Sequence, residues 1–188
     1  MKLGKTLYVP DKPGWRAWLE KHYDKEKEIW LVYPKKHTDK PRIPYNDAVE
    51  EALCFGWIDS TVKSIDGEKF AQRFSQRRPG SRLSQMNRER IRKLISEKRM
   101  TGAGLAAVSH AFKADSQDEC VIANDILDAI RSDKDAWENF KHLSESYKRI
   151  RMGYIESQRR HSSEAFQKSL AHFVKKTAKN KKFGFVRD

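Results

Sequence analysis

Cysteine is scarce in this sequence, and its scarcity excludes several classes of protein. The 188 residues include only two cysteines, which is too few for the disulfide framework of a small secreted domain. Cys54 falls in a predicted helix and Cys120 in a predicted loop, and their spacing matches no metal-ligand pattern. A buried, reduced Cys54 is the simplest interpretation. We therefore predict neither a metal site nor a cofactor.

Long apolar runs are also missing. No stretch reaches the roughly 20 residues that a transmembrane helix needs. The first residues, MKLGKTLYVPDK, lack the apolar segment of a signal peptide. We therefore expect a soluble cytoplasmic protein without a transmembrane segment.

Motifs of catalysis and nucleotide binding are absent as well. The sequence contains no glycine-rich phosphate loop of the Walker or Rossmann type, and no HExxH, CxxC or GxSxG motif. The glycines at Gly102 and Gly104 are too few for a nucleotide-binding fingerprint, and the six histidines are scattered. These absences favour a non-catalytic protein, and an enzyme is the alternative.

Positive charge and aromatic residues, in contrast, are abundant. Lys and Arg number 39 against 26 Asp and Glu, which gives a net charge of +13. Such a charge attracts phosphates and other anions over long range. The five Trp, six Tyr and nine Phe supply the bulk that a hydrophobic core in a chain of this length requires.

One stretch, between residues 54 and 87, combines aromatic and polar groups more densely than any other. The run Trp57–Ile65 is rich in β-branched residues and predicts a strand. Asp66-Gly67 is a strong signal for a type I′ hairpin turn, and the run Glu68–Gln76 returns antiparallel. The sequence therefore predicts a β-hairpin.

The length of the hairpin loop decides which side chains of the two strands meet. A two-residue loop places Ile65 opposite Glu68 and Asp59 opposite Phe74, so that Asp59 and Arg73 point to different faces. A three-residue loop with a bulge would shift the pairing and place Asp59 opposite Arg73. We favour the two-residue loop.

After the hairpin, the sequence predicts a turn and a helix start. Arg77-Arg78-Pro79-Gly80 ends the strand because proline has no N–H for the ladder. Ser84 is a good N-cap for the next helix. Asn87 shares the apolar stripe of that helix, so its amide should point inward and bind the hairpin or the turn. The apolar members of that stripe are Ile91, Leu94 and Ile95.

We predict that these groups form a pocket for an anionic small molecule or phosphate. Arginine forks bind carboxylate or phosphate, and free N–H groups at a helix start add positive potential. Asp59 would orient an arginine, and Trp57 would form a wall. The predicted ligand-binding residues are Trp57, Asp59, Arg73, Arg77, Arg78, Ser84 and Asn87. A structural ion-pair network that joins the hairpin to the helix remains the alternative.

The remaining patterns predict the fold class and the domain boundaries. Apolar runs near Leu3–Val9 and Glu28–Tyr33 predict an edge strand and a central strand, and Met100–Gly104 predicts a flexible break. The periodicity after residue 124 is helical throughout. We expect an α+β fold, with a small mixed sheet and hairpin packed by helices (residues 1–113), a linker (114–123) and an all-helical C-terminal subdomain with a basic tail (124–188).

Several segments resemble a known family. EALCFGWIDS, RFSQRRPGSRLSQMNRERIRKL and MTGAGLAAV, together with the C-terminal DILDAIRSDKDAWENFKHLSESYKRIRMGYI, are similar to the YdeI/OmpD-associated family, also described as bacteriocin-protection proteins. The resemblance implies a role in protection from bacteriocins or antimicrobial peptides and in stress response. It implies no reaction.

Two other functions remain open. Basic residues on one predicted helix and the C-terminal lysines could bind nucleic acid, although the aromatic residues lie on apolar stripes and do not form stacking platforms. The basic helix residues are Arg88, Arg92, Lys93, Lys98 and Arg99. An enzyme for a small anionic substrate would use Asp59 as general base and Asn87 as polariser.

Overall fold

The computed structural model describes residues 3–110 and 121–184. The chain divides into two compact units, which we call the sheet unit and the helical unit. The sheet unit consists of Met1–Arg82 and Arg90–Ala114, and the helical unit of Leu83–Glu89 and Asp115–Asp188. Most of the predicted linker, 114–123, lies outside the described residues, so the predicted domain boundaries stay a prediction.

The first 110 residues combine a sheet with helices. The strands are β1 (Thr6–Leu7), β2 (Glu28–Pro34), β3 (Trp57–Ser64) and β4 (Lys69–Gln76). The helices are α1 (Lys12–His22), α2 (Tyr45–Cys54), α3 (Gln85–Ser96) and α4 (Gly102–Val108), with a short 3-10 helix at Lys36–Thr38. The sheet order is β1-β2-β4-β3, with β1 parallel to β2 and the other neighbours antiparallel. The predicted α+β class with a small mixed sheet is confirmed.

Helix α1 packs its aromatic stripe onto one face of the sheet. The side chain of Asp11 caps the helix by accepting the N–H of Gly14, which satisfies one of the free donors of the first turn. Trp15 is completely buried, and its ring lies 5.3 Å from that of Phe74 in β4. Trp15 also donates to the carbonyl of Ala48 at 3.0 Å, so the same indole links α1, α2 and the sheet.

The hairpin loop has three residues, and the predicted two-residue type I′ turn is wrong. Ile65 pairs with Lys69 through its N–H at 3.1 Å, and neither Asp66 nor Gly67 has a positive φ. The carboxylate of Asp66 instead accepts the N–H groups of Glu68 and Lys69 at 2.7 and 2.8 Å. An Asp that bonds to the backbone two residues ahead stabilises a turn without glycine geometry.

A bulge in β3 restores the pairing that the longer loop had shifted. The pairs change register between Asp59 and Val62, where two residues of β3 oppose Arg73 alone. Asp59 therefore lies opposite Phe74, as the shorter loop had predicted. The expectation that a three-residue loop would place Asp59 opposite Arg73 is wrong.

The predicted flexible break at Met100–Gly104 is wrong, because α4 begins at Gly102. Thr101 caps this helix by accepting the N–H of Gly104. A Cβ on Gly104 would lie 2.1 Å from the carbonyl oxygen of Cys54. Glycine is present here because the backbone of α4 approaches the end of α2 closely.

The second described stretch is helical, as predicted. Its helices are α5 (Asn124–Arg131), α6 (Lys134–Lys141), α7 (Glu145–Gln158) and α8 (Ser163–Ala178). Their apolar stripes meet in a core that includes Ile130, Phe140, Ile155 and Phe173. In residues 3–110 and 121–184, no helix has both the length and the apolar character needed to span a membrane.

Candidate functional site

Trp57, the predicted pocket wall, lies in the core of the sheet unit. Its side chain is 0% exposed, and its indole N–H donates to the carbonyl of Tyr23 at 3.0 Å. Its ring meets that of Trp18 edge-on at 5.8 Å. In this position Trp57 joins β3 to α1, and its ring has no open surface.

Asp59 belongs to a polar cluster on the helix-covered face of the sheet. It accepts the hydroxyl of Tyr45 at 2.7 Å and, more weakly, the amide of Gln72 at 3.4 Å. Within the described residues it forms no ion pair with an arginine. We therefore find no described contact by which Asp59 would orient Arg73, Arg77 or Arg78.

Tyr33 completes this cluster, although no motif in the sequence marked it. Its side chain is 3% exposed, and its hydroxyl has no hydrogen-bond partner among the described residues. Burial, and secondarily the negative potential of Tyr45 and Asp59, raise the pKa of this phenol. Burial, together with the bond to Asp59, also raises the pKa of Tyr45. Both phenols therefore remain protonated at neutral pH.

Arg73 points to the opposite face and is neutralised there. Its Nε donates to the carboxylate of Glu28 at 2.9 Å, and a second nitrogen bonds to the same oxygen. This contact lowers the pKa of Glu28. Because the charge of Arg73 is already balanced, it is less available to an added anion.

Arg77 differs from Arg73 because it has no carboxylate partner in the described part of the chain. Its terminal nitrogen donates to the hydroxyl and carbonyl of Ser81 at 3.1 and 3.3 Å and to the carbonyl of Arg82 at 3.0 Å. Its Nε is buried without a partner. Burial lowers the pKa of Arg77, as expected for a cation that is desolvated without compensation.

The remaining predicted residues occupy the turn and the helix start. Arg78 is exposed, and its side chain forms no ion pair with the residues that the structure describes. Ser84 caps α3, as predicted, by accepting the N–H of Asn87 at 3.2 Å. The side chain of Asn87 is half-buried. Its predicted contact with the hairpin or the turn stays a prediction.

A buried ion-pair network is a prominent feature that the sequence did not reveal. Glu51 in α2 has a side chain that is 1% exposed and pairs with three cations. The distances are 3.3 Å to Lys12, 2.8 Å to Arg16 and 2.6 Å to Arg99. Burial alone would raise the pKa of Glu51, but hydrogen bonds from Arg16 and Arg99 hold it below its ordinary value.

This network also bears on the nucleic-acid hypothesis. Arg99 pairs with Glu97 at 2.8 Å and lies 3.7 Å from Glu50, in addition to its contact with Glu51. A guanidinium surrounded by carboxylates contributes little to phosphate binding. The rest of the proposed basic surface stays a prediction.

The helical unit contains a shallow surface groove of about 480 Å³. Alanines and aliphatic residues form its floor, and Lys175 and Lys179 of the basic tail contribute to its lining. None of the predicted ligand-binding residues lines it. Within the described ranges, no group of three or more His, Cys, Asp or Glu residues is arranged to hold a metal ion.

Comparison with protein families identifies both parts of the chain. Residues 7–107 match the model described as a domain of unknown function (DUF8412). Residues 119–180 match the model described as bacteriocin-protection, YdeI or OmpD-associated, which confirms the resemblance. No curated protein and no solved structure matches the sequence significantly. Because the first model covers more than half of the chain, the protein belongs to the DUF8412 family, and its helical region carries a YdeI/OmpD-associated domain.

Proposed function

We propose that this protein is a non-catalytic, cytoplasmic binding protein that contributes to protection from bacteriocins or other antimicrobial peptides. It acts by binding an anion, such as a phosphate group, at the turn Arg77–Arg82, which we call the Arg77 turn. The family description supports the protective role. The ligand class rests on the structure of the turn.

The observation that carries this proposal is the unbalanced charge of Arg77. A partly buried guanidinium costs free energy unless an opposite charge compensates for it. Among the residues that the structure describes, Arg77 bonds only to uncharged oxygens of Ser81 and Arg82. These bonds hold the guanidinium in one orientation. A pre-oriented guanidinium is suited to bind a phosphate or carboxylate through the N–H groups that these bonds leave available.

Arg78 adds a second positive charge at the same turn. It is exposed and follows Arg77 directly in sequence, before Pro79. Proline restricts the backbone of the residue that precedes it, so the position of Arg78 is limited as well. Two adjacent cations, one partly buried and one exposed, favour an anion that reaches the turn from solvent.

Residue-resolved NMR with inorganic phosphate tests the proposed ligand class. The Nε–H signal of Arg77 and the amide signals of Ser81 and Arg82 should shift on titration and reach saturation. Sodium chloride at equal ionic strength should not reproduce these shifts. Absence of saturable shifts at these three residues would refute the anion site.

Substitutions at the turn test whether its charges are responsible. Arg78→Gln and Arg77→Lys should each weaken phosphate binding at the turn by about tenfold, which corresponds to the loss of one charge-assisted contact of ~1.4 kcal/mol. Lys21→Gln is the matched control, because Lys21 is an exposed cation elsewhere in the sheet unit. Equal effects in all three variants would indicate non-specific attraction to net charge.

A growth-inhibition assay in bacteria tests the protective role. Expression of the wild-type protein in a bacteriocin-sensitive bacterium should raise the bacteriocin concentration that inhibits growth. Arg78→Gln should lose most of this protection, whereas Lys21→Gln should retain it. If Arg78→Gln protects fully at an equal protein level, protection does not depend on anion binding at the turn.

A further inference from the structure

A buried arginine in the helical unit has no counterion among the described residues. Arg151 in α7 is 7% exposed, and its Nε is buried without a partner. None of the described residues forms a hydrogen bond or an ion pair with its side chain. Two other arginines of the same unit have carboxylate partners: Arg149 binds Glu89 through two nitrogens at 2.8 and 2.9 Å, and Arg159 pairs with Asp125.

Aromatic rings take the place of a carboxylate around Arg151, but they compensate for its charge only in part. The guanidinium lies 3.9 Å from the ring centre of Phe183 and 5.2 Å from that of Tyr154. A cation–π contact contributes roughly 0.5–2 kcal/mol. The desolvation of a buried ion costs several kcal/mol. A substantial share of this cost is therefore unbalanced.

The segment after α8 is held over the guanidinium. The hydroxyl of Tyr147 accepts the N–H of Phe183 at 3.0 Å. Gly184 follows with φ +89°, and a Cβ at this position would lie 3.1 Å from Nη1 of Arg151. Only glycine adopts this φ readily, so the backbone passes close to the charge without a side chain between them.

A second basic residue, Lys182, lies on the segment that covers Arg151. The ammonium group of Lys182 is 5.7 Å from the ring centre of Tyr147, on the residue just before Phe183. Desolvation lowers the pKa of Arg151, although Tyr147 and Tyr154 act in the opposite direction. The described residues place no carboxylate against Arg151.

We propose that Arg151, together with the Phe183–Gly184 backbone, forms an oxyanion site that takes a phosphate or a carboxylate group. The terminal nitrogens of Arg151 would donate to two oxygens of the anion, in the geometry that a planar guanidinium favours. The site shares no residue with the Arg77 turn. It therefore stands whether or not the turn binds an anion.

Residue-resolved NMR of the full chain tests this site directly. On titration with inorganic phosphate, the Nε–H signal of Arg151 and the amide signal of Gly184 should shift and saturate. A parallel titration with acetate distinguishes a phosphate group from a carboxylate group as the ligand. If the Arg151 and Gly184 signals shift with phosphate alone, the site is a phosphate site. If they shift with both anions, it is a general oxyanion site. No saturable shift of the Arg151 signal with either probe overturns the proposal.

Substitutions separate binding from a purely structural role. Arg151→Met keeps the length of the side chain and should abolish the shift at Gly184, whereas Arg160→Met, at an exposed arginine of the same unit, should leave it unchanged. Arg151→Lys keeps the charge but loses the fork, and should weaken binding at least tenfold even if Arg151→Met does not fold. Unchanged affinity in Arg151→Lys overturns the proposal.

Discussion

Arg73 in β4 donates its Nε to the carboxylate of Glu28 at the start of β2, at 2.9 Å. The two residues are 45 positions apart in sequence and meet because β2 and β4 are neighbours in the sheet. This pair distinguishes Arg73 from Arg77, which lies four residues later and has no carboxylate among the described residues. The same residue type is therefore neutralised at one position and unbalanced at the other.

Removal of Glu28 should make Arg73 responsive to anions. In the wild-type protein, the Nε–H signal of Arg73 should not move during a phosphate titration, because its charge is balanced. In Glu28→Gln it should shift. Glu20→Gln, which removes an exposed carboxylate from α1, is the control and should leave the Arg73 signal unresponsive. An unresponsive Arg73 in Glu28→Gln would contradict the idea that the ion pair masks it.

Glu51→Gln should destabilise the sheet unit strongly. The substitution leaves three cations without their shared carboxylate. Loss of one partner from a buried ion pair costs 3–5 kcal/mol, and we expect about 3 kcal/mol because the cations keep contact with solvent. Urea denaturation measures this change. The control Glu20→Gln, at a side chain that is 54% exposed, should cost less than about 1 kcal/mol.

The same carboxylate should contribute to acid denaturation. The pKa of Glu51 is lower in the folded protein than its ordinary value of 4.5. Its contribution to stability is therefore present above about pH 4.5 and is lost as the pH falls through the folded-state pKa. Between pH 7 and pH 3, Glu51→Gln should lose less stability than the wild-type protein. A parallel loss in both proteins would contradict this assignment.

Tyr33 and Tyr45 should respond differently to removal of their hydroxyl groups. Tyr45→Phe removes a 2.7 Å hydrogen bond to the carboxylate of Asp59, which should cost about 1.5–3 kcal/mol. Tyr33→Phe removes a buried hydroxyl that has no described partner, and should be neutral or stabilising. Urea denaturation at pH 7 measures both. A larger cost for Tyr33→Phe would show that its hydroxyl has a partner such as an ordered water.

The two phenols should also make the protein sensitive to alkali. The pKa values of both phenols are raised on folding. A phenol in the unfolded chain ionises near pH 10. The contribution of the two phenols to stability is therefore fully present below about pH 10 and decreases as the pH rises above it. The double variant Tyr33→Phe/Tyr45→Phe should lose less stability between pH 8 and pH 11. Tyr8→Phe, at a tyrosine that is 48% exposed, is the control.

Two glycines should differ sharply in their tolerance of alanine. Gly67 in the hairpin loop lacks a positive φ, and a Cβ there would meet no atom within 4 Å. Gly67→Ala should be neutral or stabilise the protein by up to about 1 kcal/mol. Gly56 has φ +76°, and its Cβ would lie 2.7 Å from that of Ala107, so Gly56→Ala should cost about 2 kcal/mol or more. A large loss in Gly67→Ala would support the type I′ turn instead.

Local signals in the sequence were sufficient for most of the strands and helices and for the fold class. The strand pattern, the Ser84 cap and the edge position of β1 are each decided by a few neighbouring residues, and the structure confirms them. The hairpin loop was less predictable. Asp-Gly fits a type I′ turn, but the carboxylate of Asp66 offers a competing bond to the backbone, and the bulge in β3 compensates for the extra loop residue.

The sequence by itself determined the α+β class, the hairpin, the helical C-terminal region and the family resemblance, because periodicity, turn residues and motifs are local properties. Only the tertiary structure decided which charges are balanced. The contacts of Glu28, Glu51 and Arg151 join residues that are distant along the chain. A count of charged residues cannot distinguish a paired guanidinium from an unpaired one, because the difference depends on burial and on distances of a few ångströms.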